Sequence, residues 1–267
     1  MKAGHASRAF FAILSRELLR FFQQKGRFFS ALVRPLIWLV VFAAGFRAAL
    51  GLSIIPPYQT YITYDVYVVP GLIGMIQLFA GMQNSLSMVY DREMGSMRVL
   101  LSTPLPRSYL LLARMLAGTF VSIIQVYAFV AIAMLLGTRL PVSGLVLMFP
   151  VLILTGMTLS ALGMFLSSRI RQLENFAGVM NFLIFPMFFI SSALYPLWRM
   201  REGSVTIYEL CRLNPFTYVV ELIRFTMHWQ VNWMALGIVV ATFVVFGIAA
   251  LIGYTPARGG PAAGRAR

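Results

Sequence analysis

Six long apolar runs constrain this chain more than any other feature of its sequence. About 20 helical residues, at 1.5 Å each, are needed to cross the hydrocarbon core of a bilayer. Because lipid offers no hydrogen-bond partner to the backbone, continuous apolar runs of this length predict helices rather than strands. The sequence therefore predicts an all-α, polytopic membrane protein. Its six transmembrane helices are expected at about residues 31–50, 67–89, 109–136, 143–166, 176–194 and 232–253.

Composition and charge agree with this interpretation. Hydrophobic residues make up 60% of the 267 residues, whereas soluble domains average about 45–50%. The formal net charge of +14 suits either nucleic acid or anionic lipid as a partner. Sixteen of the 22 lysine and arginine residues occur at the two termini and around the segments that follow the second and fourth runs. The positive-inside rule then predicts cytoplasmic termini, and the charge indicates contact with membrane lipids rather than nucleic acid.

The apolar runs divide the chain into three parts. Residues 1–30 are predicted to be a cytoplasmic N-terminus with an interfacial amphipathic helix, residues 31–253 a transmembrane domain, and residues 254–267 a disordered cytoplasmic tail. The basic lead before the first run is longer than that of a cleavable signal peptide, so the first run is expected to be retained. Cys211 is the only cysteine, which excludes an internal disulfide and favours a packing role.

The N-terminal part has the pattern of a helix that lies in the membrane interface. A polar ridge at helical spacing contains Arg16, Arg20, Gln23 and Arg27. The opposing apolar stripe contains Phe11, Leu14, Leu18 and Phe22. The stripe is expected to face the lipid and the ridge the head groups. Such a helix is either an anchor alone or an anchor that also contacts a cytoplasmic partner.

The sequence lacks the motifs of common catalytic and nucleotide-binding sites. It contains no G-x-x-x-x-G-K-[ST] and no G-x-G-x-x-G that opens a helix. The hydrolase motifs H-E-x-x-H and G-x-S-x-G are also absent. His5 and His228 are predicted on opposite sides of the membrane, which argues against a shared metal site. We therefore expect a non-enzymatic chain without catalytic residues, metal ligands or a bound cofactor.

Neutral polar side chains occur within several predicted spans, whereas the eight acidic residues are assigned to loops, span ends or interfaces. Proton-coupled carriers usually need ionisable groups inside the spans, so this distribution disfavours such a mechanism. The neutral polar residues either form helix-to-helix hydrogen bonds or together line a translocation path. They are Gln77, Gln83, Asn84, Gln125 and Asn181.

The segment DREMGSMRVLLSTPLPR, between the second and third runs, is unusually charged for this chain. Asp91 and Glu93 lie where the second run ends, and Gly95 permits a sharp turn. The apolar residues that follow can form a short helix, which Pro104 and Pro106 end because proline removes a backbone donor. The pattern predicts a stiff element on the cytoplasmic face, joined directly to two spans.

The region between the fifth and sixth runs is too long for a tight turn. It contains two semi-apolar stretches, and Glu221 and Arg224 are spaced so that they can pair on the polar side of a short helix. One interpretation is an interfacial helix on the outer surface, with Trp229 and Trp233 as anchors. The other is a re-entrant helical hairpin that closes a path.

The same segments carry a family resemblance. DREMGSMRVLLSTPLPR, together with SSALYPL and RLNPFTYVVELIR before the sixth run, resembles ABC-2-type transporter permeases of the daunorubicin- and nodulation-exporter branch. The resemblance covers nearly the whole chain. It implies a homodimeric permease in the bacterial inner membrane, bound to two copies of a separate ABC ATPase. ATP and magnesium would be held by that partner and not by this chain.

The resemblance also implies roles for particular residues. The family's ATPase-coupling element corresponds here to Asp91, Arg92, Glu93, Gly95, Thr103, Pro104 and Arg107. The family's outer gate corresponds to Tyr195, Pro196, Asn214, Pro215 and Phe216.

The function expected from the whole sequence is export of an amphiphilic substrate, such as a drug, lipid or glycolipid, out of the cytoplasm or the inner leaflet. Two alternatives stay open at this point. One is a carrier or channel that needs no ATPase, and the other is a membrane scaffold without transport.

Overall fold

The computed structural model describes residues 3–23, 25–46, 56–58, 62–94, 106–170 and 172–254. Within these residues the secondary structure consists of ten helices, without an extended strand. The all-α fold class is therefore confirmed. The helices, in chain order, are α1 (Ala3–Gln23), α2 (Lys25–Phe46), α3 (Tyr64–Glu93), α4 (Arg107–Leu135), α5 (Val142–Arg169), α6 (Leu173–Phe189), α7 (Leu197–Gly203), α8 (Val205–Leu213), α9 (Pro215–Met227) and α10 (Trp233–Gly253).

Four helices are long and apolar enough to cross a membrane, and they correspond to the second, third, fourth and sixth predicted spans. The first predicted span is helical over residues 31–46, its residues 47–50 lying outside the described ones, and the fifth is helical over residues 176–189. The apolar stretches of these two helices are shorter, at Ala31–Val41 and Leu173–Phe189. α6 has 17 residues, so its length is only about 25 Å at 1.5 Å per residue. The total of six spans stays a prediction.

α3 is the central helix of the bundle. It packs against α2, α4, α5, α6 and α9, and 83% of its spanning stretch is buried inside the protein. Small residues allow α5 to approach α3 closely: a Cβ atom at Gly81 would lie 3.0 Å from the Leu159 carbonyl carbon. Close approach of backbones is the usual source of helix association in lipid, where the hydrophobic effect between helices is weak.

The region between α6 and α10 folds into three short helices, and they differ in burial. α9 is embedded in the bundle, where it packs against α3, α5 and α10, and Phe216 and Val220 are completely buried. α7 and α8 carry mostly exposed or half-buried side chains. α9 begins at Pro215 because Asn214 caps it, with the Phe216 amide donating to Asn214 Oδ1 at 3.0 Å.

α1 forms the predicted N-terminal helix, and some of its side chains pack against the protein. Phe21 is buried against the bundle, and the side chain of Glu17 is only 12% exposed. Leu14 and Leu18 of the predicted apolar stripe are half-buried, whereas Phe11 is 64% exposed. Glu17 lies on the side of α1 that packs on α4.

Of the predicted basic ridge on α1, Arg16 is exposed and pairs with the adjacent Glu17. The side chains of Arg20 and Arg27 lie outside the described part of the structure.

Candidate functional site

The base of the segment between α3 and α4 is closed by a buried ion pair. Asp91, in the last turn of α3, pairs with Arg114, in the second turn of α4. The Arg114 side chain is 3% exposed, and its Nη1 atom also contacts the sulfur of Met88. About two turns before Asp91 on α3, Asn84 Nδ2 donates to the Arg114 carbonyl at 3.1 Å. Three side chains of α3 thus contact one residue of α4.

The predicted coupling residues separate into three groups. Asp91 is half-buried in the ion pair, whereas Glu93 and Arg107 are exposed on either side of it. Arg92 lies in α3, and its side chain is outside the described residues. Gly95, Thr103 and Pro104 are also outside them.

A second buried charge lies at the opposite end of α3. Arg224 of α9 is 2% exposed, and its guanidinium lies 4.1 Å from the centroid of the Tyr67 ring. It pairs with Glu221, so the predicted pairing is confirmed, although the pair is turned into the protein. Arg224 Nη2 also donates to the Ser192 carbonyl at 2.8 Å. Arg224 therefore links α9, α3 and the turn that follows α6.

That turn is held by hydrogen bonds from two helices. The Tyr64 hydroxyl donates to the Leu194 carbonyl at 2.9 Å, and the Tyr67 hydroxyl donates to the Ser192 carbonyl at 3.0 Å. From the other side, Asn214 Nδ2 donates to the carbonyls of Met187 and Ile190, at 2.7 and 2.5 Å. A carbonyl in the last turn of α6 and that of its C-cap residue Ile190 are thereby satisfied.

The predicted outer-gate residues lie around this turn. Phe216 is fully buried, and its ring centroid is 6.3 Å from that of Phe188 on α6. Asn214 and Pro215 are half-buried at the start of α9. Tyr195 and Pro196 continue the turn into α7, with Pro196 as its N-cap residue.

The loop before α3 adds Tyr58 to the same end of the molecule. Its ring is 4.7 Å from the His228 ring, centroid to centroid, in an edge-to-face arrangement. Burial raises the pKa of Tyr58 to about 12, although the Arg224 charge acts in the opposite direction. The phenol is therefore neutral at physiological pH.

The predicted polar residues of the spans occupy three different environments. Gln77 is buried between α3 and α5, where it donates to the Leu152 carbonyl at 2.8 Å and accepts from Thr155 Oγ1 at 2.7 Å. This arrangement is helix-to-helix hydrogen bonding. Gln83, Asn84 and Gln125 are brought together, and all three line a cavity between α1, α3 and α4. Asn181 lies apart from them, on the exposed face of α6.

With this geometry in place, comparison with known proteins identifies the family. Residues 8–228 match the family model described as "ABC-2 type transporter". The chain belongs to the ABC-2 type transporter family. The match extends from α1 to the end of α9, so it includes the α3–α4 segment and the short helices before α10. The family resemblance of the sequence motifs is confirmed.

Relatives of the chain carry transport or nodulation names. A protein of Pyropia yezoensis named as transport permease ycf38 is 27% identical over 228 residues, which cover 83% of this chain and 74% of the relative. A protein of Escherichia coli K12 named as multidrug ABC transporter permease YbhR is 27% identical over 170 residues, or 62% of this chain and 45% of the relative. Nodulation protein J of Rhizobium leguminosarum bv. viciae is 24% identical over 209 residues, or 74% of each chain.

Family membership identifies the long apolar helices as membrane-spanning helices. This ABC-2 chain is a multi-pass membrane protein and the membrane subunit of an ABC transporter. The family also implies a partner ATP-binding subunit.

Arg114 is the residue of the ABC-2 chain whose role the sequence did not reveal. In the sequence it counts only as one more basic residue near the charged segment. Its position several residues inside an apolar run was the available signal, because a charge placed there needs a partner.

Proposed function

We propose that this ABC-2 chain is the permease subunit of an exporter, that it works as a homodimer, and that two copies of a separate ATPase drive it through the segment 91–107. The observation that carries the proposal is the Asp91–Arg114 ion pair. It joins the two helices that flank the segment, so a push on the segment moves α3 and α4 together.

In this mechanism the exposed residues make the contact and the buried ones transmit it. Glu93 and Arg107 are available to an ATPase surface, and Arg92, Gly95, Thr103 and Pro104 complete the coupling element by analogy with the family. Asp91 acts as the joint between the helices. ATP and magnesium stay on the partner.

Motion of α3 has a direct route to the outer end. Tyr64 and Tyr67 of α3 bind the turn after α6, and Arg224 stacks on Tyr67. A displacement of α3 is therefore transmitted through these hydrogen bonds to the turn that leads from α6 into α7. We assign the role of outer gate to this turn and the start of α9, which contain Tyr195, Pro196, Asn214, Pro215 and Phe216.

The proposed location is the bacterial inner membrane, with both termini in the cytoplasm, as the basic residues indicate. The proposed substrate is amphiphilic and enters from the cytoplasm or the inner leaflet. Support comes from the apolar, weakly charged spans and from relatives whose names refer to multidrug transport and nodulation. Asn181 is exposed on α6, so we assign it to the translocation path only if a second copy of the chain covers that surface in the dimer.

Charge reversal at the exposed coupling positions tests this function. The permease is co-expressed with the ATPase encoded beside it, and Glu93→Lys with Arg107→Glu is compared with Glu202→Lys with Arg199→Glu, an exposed pair on α7. We expect the first pair to lower permease-stimulated ATP hydrolysis by about tenfold or more, since it loses charged contacts worth over 1.4 kcal/mol. The α7 pair should have no effect.

Three results would contradict the proposal. The first is a tagged permease that never retains the ATPase. The second is transport in ATP-free proteoliposomes driven by an ion gradient, which indicates an independent carrier. The third is a complex that hydrolyses ATP but moves no substrate, which indicates a scaffold.

A further inference from the structure

Two adjoining cavities form a groove between α1, α2, α3 and α4. Ala80, Gln83 and Gln125 line both cavities, so the cavities meet along a common wall. Glu17 of α1 lies on the lining of one cavity, and Arg34 of α2 lies on the lining of the other. The groove therefore has an acidic end, a basic end and two carboxamides between them.

The carboxamides have unused hydrogen-bonding capacity. Gln125 is only 4% exposed, and neither its side chain nor that of the half-buried Gln83 makes a hydrogen bond within the described part of the chain. Gln77, the same residue type two turns away on α3, makes two. The amide atoms of Gln83 and Gln125 are not sealed off from the groove that they line, so their hydrogen bonds are open to water or to a ligand.

The two charged ends are available for a ligand. Among the residues that the structure describes, Glu17 pairs only with its neighbour Arg16, at 3.3 Å, and the Arg16 side chain is 52% exposed. Such surface pairs contribute little and exchange readily. The Arg34 guanidinium lies 4.0 Å from the centroid of the Phe79 ring, which positions it at the basic end without neutralising its charge.

The order of these groups selects a class of ligand. A carboxylate binds a primary ammonium, and a guanidinium binds a phosphate through charge-assisted hydrogen bonds. The amides can donate to phosphate ester oxygens and accept from the ammonium. Phe21 and Phe79 supply apolar walls beside the polar groups, as a ligand with an acyl portion requires.

We propose that this groove binds the zwitterionic head group of an aminophospholipid, with its ammonium toward Glu17, its phosphate toward Arg34, and Gln83 and Gln125 hydrogen-bonded between them. In the proposed orientation α1 lies in the cytoplasmic interface, so the groove is at the level of the inner-leaflet head groups. Binding needs no ATPase, and the site therefore goes beyond the proposed transport function.

Lipid retention by the full-length chain tests the site. The protein is purified from vesicles that contain equal amounts of phosphatidylethanolamine and phosphatidylglycerol, and bound lipids are counted by native mass spectrometry. We expect wild-type protein to retain the aminophospholipid with a preference of about fivefold or more, because only that lipid offers an ammonium to Glu17. Glu17→Gln should abolish the preference, and Arg34→Gln should weaken binding of both lipids.

The carboxamides are tested separately. Gln125→Leu and Gln83→Leu should each lower retention of phosphatidylethanolamine by about tenfold, the effect of losing a hydrogen bond to a charged group. Asn175→Leu removes an exposed carboxamide of α6, away from the groove, and should leave retention unchanged. Gln83 is only half-buried, so its variant reports on binding even if Gln125→Leu does not fold.

The assignment is overturned if wild-type protein retains both lipids equally or retains neither, the second result indicating a groove filled by water. It is also overturned if both leucine variants of the groove bind as the wild type does. These outcomes are separate from the ATPase assay. If the wild-type protein shows no lipid selectivity but Glu93 charge reversal has its expected effect, the groove is rejected and the exporter is kept. If the wild-type protein is selective but the charge reversal has no effect, the exporter is rejected and the groove is kept.

Discussion

Arg114 is a cation that the fold has placed among apolar side chains. Its guanidinium is nearly inaccessible, and Asp91 is the carboxylate that compensates it. A buried ion pair adds little net stability compared with well-packed apolar residues, but removal of one partner leaves a buried charge uncompensated. The pair therefore acts as a constraint on how α3 meets α4.

This argument makes a prediction for Asp91. We expect Asp91→Ala to lower the free energy of unfolding by about 3 kcal/mol, because Arg114 keeps its charge without a partner. The double variant Asp91→Leu with Arg114→Met should recover most of that loss. The measurement is the thermal unfolding midpoint of the detergent-solubilised protein.

Glu93→Ala is the matched control, since Glu93 is two residues farther along α3 and exposed. Equal midpoints for Asp91→Ala and Glu93→Ala would show that the ion pair does not restrain the two helices.

At the scale of elements, Asn214 connects two helices through both ends of one side chain. Its oxygen caps α9, and its nitrogen donates to two carbonyls at the end of α6. The start of α9 and the end of α6 are thus both held by the side chain of Asn214. The Asn214-Pro215 pair of the segment RLNPFTYVVELIR is therefore explained by the cap of α9 and by the hydrogen bonds of Asn214 to α6.

Two substitutions separate these contacts. Asn214→Ala loses the cap and the α6 bonds, which together are expected to cost about 2 kcal/mol or more. Asn214→Asp keeps the cap acceptor but turns a second acceptor toward the two α6 carbonyls, so its cost is expected to come from the α6 contact and not from the cap. The measurement is amide hydrogen exchange. Asn214→Ala should increase exchange at the start of α9 and in the turn after α6, whereas Asn214→Asp should increase it mainly in that turn. Identical exchange in the two variants would contradict the assignment.

Elements were more predictable from the sequence than contacts were. The four long spans follow from apolar length alone, because the backbone must satisfy itself in lipid. The Asp91–Arg114 pair joins residues on two different helices, and no local pattern encodes such a pairing. Gln77 and Gln125 look alike in sequence, yet packing gives one two hydrogen bonds and leaves the other facing a cavity. Only the positions of neighbouring helices distinguish them.

At the scale of the whole molecule, the two buried arginines mark opposite ends of α3. Arg114 lies near its end, and Arg224 stacks on Tyr67 near its start. α10, by contrast, is mostly peripheral, with 17% of its spanning stretch buried inside the chain. Movement is therefore expected to pass through α3 while α10 remains a surface for lipid or a second copy.

The single cysteine provides a test of orientation. Cys211 is fully buried, so wild-type protein should resist a membrane-impermeant maleimide in intact cells. In a Cys211→Ala background, Glu202→Cys on exposed α7 should react from outside. Arg107→Cys, exposed at the start of α4, should react only after the membrane is permeabilised. The reverse labelling pattern would invert the proposed topology.

The closed base formed by Asp91 and Arg114 has an evolutionary consequence. It fixes the junction of α3 and α4 independently of the sequence of residues 92–107, which form the rest of the proposed coupling segment. A lineage could then exchange that short segment to match a different motor protein and inherit the membrane bundle unchanged. Compatibility between permease and motor would be a property of a few interchangeable residues, and substrate choice would evolve separately from it.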